Sequence, residues 1–148
     1  MTWTNTSLEA TTVLEVADDG GWKVRILHPV VQAIEMDARL WKDKETGGAL
    51  IGRISYENRT ITIAGLVEAP TDSIRAPNRF TLGTDGLVSR LRQAHTDSLG
   101  YLSFIGTWHS HGSPSAGNWL GNLTGKLFRR ARSSGMMSSD QQTIEKGG

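Results

Sequence analysis

The sequence predicts a mixed α+β domain, on three observations. Several short segments alternate apolar and polar residues with the period of two that marks a strand. Two longer segments between them repeat apolar residues at spacings of three and four, the period of a helix. The composition suits one buried core: 148 residues, 37% hydrophobic and 21% charged, which is long enough for a single domain and too apolar for a disordered chain.

The elements follow in order. Residues 12–16, Thr-Val-Leu-Glu-Val, read as a short strand, and Asp18-Asp19-Gly20-Gly21 as a turn. Trp22 to Leu27 alternates as a second strand, so the two form a hairpin. Pro29 suits the first turn of a helix. Val31, Ile34, Ala38 and Trp41 form its apolar stripe, through Lys42, with Gln32, Asp37, Arg39 and Lys42 on the polar face. Asp43 to Gly48 ends it. Ala49–Ile54 reads as a strand, Glu57-Asn58-Arg59 as a turn and Thr60–Val67 as another strand. Residues 69–78, with Pro70 and Pro77, read as a loop. Thr84 to His95 fits a helix with Thr84 as N-cap and an apolar face of Leu87, Leu91 and Ala94. Tyr101 to Trp108 then reads as a buried strand. A last helix is expected from Asn118 or Asn122 to about Arg132. The domain is placed at residues 8–133, with 134–148 as a polar, disordered tail.

The composition also excludes several classes of function. There is no Cys, which removes disulfides, thiolate metal sites and Cys nucleophiles, and points to the cytoplasm. A net charge of +1 gives no electrostatic case for nucleic acid or an anionic membrane. No Gly-x-Ser-x-Gly elbow is present. A zinc deaminase would need His-x-Glu and Pro-Cys-x-x-Cys, which this chain lacks.

What remains centres on Trp108-His109-Ser110-His111. Two of the chain's four His residues sit one residue apart at the end of a strand. They therefore share one face, with Ser110 on the other, and can give two nitrogen ligands to one metal ion. A hydrolytic zinc site also needs a base for its water, and a carboxylate is the usual choice. Glu45, on a Gly-rich turn before a buried strand, is the best candidate.

Glu45-Thr46-Gly47-Gly48-Ala49-Leu50-Ile51-Gly52 followed by Trp108-His109-Ser110-His111 resembles the JAB/MPN (JAMM) metalloprotease family, and its prokaryotic JAB branch most closely. The resemblance spans roughly residues 24 to 115. It implies an MPN-like curved mixed β-sheet flanked by helices. It further implies that His109 and His111 hold Zn2+, that Glu45 is the general base, and that the substrate is a protein or peptide whose peptide or isopeptide bond is cut, typically beside a ubiquitin-like C-terminus. The family pattern continues with Pro after the second His, then a Ser and an Asp. Here Gly112 replaces the Pro. At the usual spacing the Ser position falls on Trp119 and the acidic ligand on Asn122. With a shortened loop they fall on Ser115 and Asn118, so that Ser115 is the candidate oxyanion residue. Either way the third ligand is an amide rather than a carboxylate, and the first acid after His111 is Asp140. The alternative function is therefore a catalytically degenerate MPN-type protein-binding module.

Overall fold

A computed structural model describes residues 12–111. The chain is a mixed α+β domain, as its periodicities predict. The elements are β1 (Thr12–Ala17), β2 (Lys23–Leu27), α1 (His28–Leu40), β3 (Gly47–Ser55), β4 (Thr60–Glu68), β5 (Ile74–Ala76), β6 (Arg79–Thr81), α2 (Leu87–Asp97) and β7 (Ser103–His109). Among the described residues, five strands form one sheet in the order β1-β2-β4-β3-β7, and β5 and β6 form a separate hairpin. β2 and β4 run parallel. The other neighbours in the large sheet are antiparallel. No helix among the described residues is long and apolar enough to cross a membrane.

The sheet has a core on each face. Trp22, Val24, Ile26, Leu50, Ile61, Ile63, Ile105 and Trp108 pack with Val30 and Ile34 of α1. Ala49 and Val67 pack with Leu87, partly buried Leu91 and Ile51 beside them. Leu50 and Ala49 are neighbours in β3 yet enter different clusters, so α1 and α2 cover opposite faces, as alternation along a strand requires. Two register shifts, between Leu50 and Ile51 against β7 and between Ile51 and Gly52 against β4, interrupt the ladder in mid-strand. Such bulges bend a strand.

Several expectations are corrected. α1 buries Val30 and Ile34, so its inward face is centred one residue earlier than the stripe beginning at Val31. Trp41 caps the helix instead of extending it to Lys42. Asp37 is half-buried and bonded to Thr46, not part of a solvated face. The segment 69–78 is not all loop. It contains β5, which turns through Pro77 and Asn78 to pair with β6. β7 starts at Ser103, leaves Tyr101 outside it and exposed, and exposes Phe104 as well. Among the described residues it is an edge strand, with β3 on one side. The expected helix near 118–132 and the tail lie outside the described residues.

α2 begins later than expected because Asp72 intervenes. Its carboxylate accepts the backbone N–H groups of Thr84 at 3.0 Å and Asp85 at 3.1 Å. Gly86, at a left-handed φ of 68°, then becomes the N-cap in place of Thr84. Gly83 has to be Gly, since a Cβ there would collide with the Asp72 carboxylate. The two N–H donors hold the Asp72 pKa below its ordinary value. A carboxyl with a lowered native pKa adds stability above its unfolded pKa and loses it as pH falls through the native one. Asp72→Ala should therefore lower the melting temperature slightly at pH 7. The gap from the parent should close as both are melted at pH values below the usual carboxylate range.

Candidate active site

The site is built where the start of β3 meets the end of β7. Gly47 pairs with His109 and Gly48 with Trp108. By alternation Trp108 and Ser110 turn to the α1 face, while His109 and His111 turn to the other. Trp108 is 3% exposed and belongs to the α1 core, which pins the strand's rotation. The two imidazoles meet edge to face, 4.9 Å between ring centroids.

One residue before Thr46 lies Glu45, on the same face as the histidines. α1 ends in a turn in which the Lys44 N–H donates to the Trp41 carbonyl at 2.8 Å. The Glu45 N–H then donates to the Ala76 carbonyl of β5, also at 2.8 Å. Its carboxylate is largely buried, and Oε1 lies 3.6 Å from His111 Nδ1. The His111 side chain is 44% exposed, so the site opens to solvent on that side. Phe80 of β6 packs over Gly47, where no side chain would fit.

Ser110, between the two histidines, faces the protein. It is 9% exposed. Its N–H donates to the Thr46 carbonyl at 2.7 Å, and its Oγ accepts the Thr46 N–H at 3.0 Å. The β3–β7 ladder thereby continues one step past the strands and ties the loop before β3 to the histidine pair.

Two imidazoles on one face are the donor type that a metal ion such as zinc takes. Two imidazoles bound at about 2.0–2.1 Å and a tetrahedral angle would have ring centroids about 5 Å apart, which matches the spacing of His109 and His111. Among the described residues no three of His, Cys, Asp or Glu are gathered as a metal set, so a third protein ligand is not found within 12–111. Ser115, Asn118 and Asn122 lie outside the described residues. Sequence reasoning missed Thr46, Asp37, Arg75 and Phe80, which support Glu45 and its strand. No local pattern marks Arg75, because its partner Thr46 is 29 residues away.

Comparison with known proteins identifies the family. Residues 27–117 match the family described as prokaryotic homologs of the JAB domain. The chain is 30% identical over 92 residues to a probable metalloprotease, y4qB, of Sinorhizobium fredii, covering 62% of this chain and 56% of that protein. It is 34% identical over 103 residues to a CD-NTase/cGAS isopeptidase of Enterobacter hormaechei, covering 68% of this chain and 51% of that one. The chain thus spans about half the length of the curated relatives it matches. With the match from Leu27 through both histidines, this chain belongs to the prokaryotic JAB-domain family.

Proposed function

We propose that the domain is a zinc-dependent peptidase or isopeptidase, acting in the cytoplasm at the C-terminus of a ubiquitin-like protein. The observation that carries this reading is the buried Glu45 carboxylate 3.6 Å from His111, itself in edge contact with His109. The names of the two relatives, a metalloprotease and an isopeptidase, support the bond type. His109 and His111 would hold the metal. Bound there, zinc would lower the pKa of a water to about 7 and polarise the scissile carbonyl. Glu45 accepts the proton of the attacking water and delivers it to the leaving nitrogen. With the shortened loop, Ser115 takes the family's Ser position and would donate a hydrogen bond to the developing oxyanion. Burial of the Glu45 carboxylate limits its contact with bulk water, while the His111 side stays open to solvent.

The test is cleavage of an isopeptide-linked ubiquitin-like substrate, with and without a chelator, beside a calorimetric zinc titration. Changing both His109 and His111 to Ala should abolish zinc binding, and binding that persists would sink the metal assignment. Asn118→Asp or Asn122→Asp should tighten binding by supplying an anionic ligand. If neither does, the segment after His111 is not arranged as in the family. A folded chain that binds zinc or substrate without turnover would favour the binding-module alternative, with the amide in the third-ligand position as its physical cause.

A further inference from the structure

The residue beside Glu45 points the opposite way, is buried, and is hydrogen-bonded through its hydroxyl, N–H and carbonyl. Thr46 is 0% exposed. Its hydroxyl donates to Asp37 Oδ2 of α1 at 2.7 Å and accepts Arg75 Nε of β5 at 3.0 Å. Both partners are charged, the stronger class of hydrogen bond. The Arg75 guanidinium also lies 4.4 Å from the Trp41 ring centroid, which fixes its plane. The same residue's N–H and carbonyl hold Ser110. One buried threonine therefore joins α1, β5, the loop carrying Glu45 and the residue between the two histidines.

We propose that Asp37, Thr46 and Arg75 form a positioning clamp that sets Glu45 and the His109–His111 pair at their working separation. The inference rests on the roles given above to Glu45 and the two histidines. Each partner restrains a different freedom. Asp37 accepts from and Arg75 donates to the same hydroxyl, which locks the Thr46 side chain. The locked residue presents its peptide to Ser110 in a single orientation, so the histidines that flank Ser110 inherit it. Glu45, whose N–H is held by the residue after Arg75, is anchored from the same short stretch of β5. Loss of the hydroxyl would leave a half-buried carboxylate without its donor and a guanidinium without its acceptor, so the loop would relax away from both.

An ordinary strap between helix and sheet would change the melting temperature alone. The clamp makes a further demand, which metal-free amide exchange by NMR can read. Thr46→Val, which keeps the side-chain shape, should speed exchange of the Ser110 amide by about tenfold, the worth of one or two hydrogen bonds. The Ile61 and Ile63 amides should stay unchanged, and Thr46→Ser should behave as the parent. Zinc affinity, read by chelator competition, should fall by about 10- to 100-fold in Thr46→Val, the usual size of an outer-shell effect. Arg75→Ala should weaken zinc binding likewise. Because Arg75 lines a cavity of about 240 Å³ with Asp37, Trp41 and Trp108, added guanidinium ion should restore the lost affinity where the same concentration of sodium does not. Unchanged Ser110 exchange in Thr46→Val overturns the clamp, as does equal acceleration of every sheet amide in both Thr46 variants. A parent chain that binds no zinc would count against the metal reading, while the amide measurement still decides the clamp.

Discussion

Glu45→Gln is expected to lower kcat by about 10²- to 10⁴-fold, the usual worth of a general base, with KM and bound zinc unchanged. The substitution is nearly isosteric and keeps one oxygen acceptor, so the contact with His111, 3.6 Å in the parent, need not be lost. What it removes is the ability to take a proton. The environment makes that loss hard to replace. Glu45 is 9% exposed, and bulk water is a poor substitute for a base already held beside the reacting centre. The measurements are single-turnover cleavage of an isopeptide-linked substrate and metal content of the purified variant. Turnover that survives Glu45→Gln intact, or that resists chelation in the parent, would remove this mechanism.

Much of the scaffold was legible because its signals are local. The β1–β2 hairpin, β3, β4 and the apolar face of α2 each show a period along a single segment. So does the strand that ends in His-Ser-His, where alternation alone sends His109 and His111 one way and Ser110 the other. What was not legible depends on pairs far apart in the chain. β5 and β6 have three residues each, too few to display any period. Asp37 reads as solvated because a helical pattern cannot show that a threonine nine residues on turns back toward it. The nearness of Glu45 to His111 depends on the register that pairs Gly47 with His109, and residue patterns do not specify register between strands so far apart in the chain. In the sequence it is the family resemblance, not the periodicity, that joins the two motifs.

That register is also where the fold is least tolerant. Gly47→Ala is expected to destabilise the domain by about 1–3 kcal/mol, as overpacking does, and to cut kcat or zinc affinity more than stability alone would. A Cβ at Gly47 would overlap the backbone carbonyl of Trp108 and press on the Phe80 ring. The ring belongs to a small hairpin and can give. The carbonyl belongs to the peptide just before His109, so relief there means parting β3 from β7 at the site itself. A shift of about 1 Å between base and metal ligands is enough to cost roughly 10²-fold in rate. Urea unfolding separates the stability loss from the functional one when activity is measured well below the transition. Gly65→Ala is the control: its Cβ would meet only Ile51 side-chain atoms at 3.0 Å, which can shift without moving the strand, so the site should keep its geometry and its function whatever the change in stability. Adding Phe80→Ala to Gly47→Ala should relieve the ring contact without restoring function. Full recovery in that double variant would show that the ring, rather than the strand carbonyl, is what demands glycine at 47.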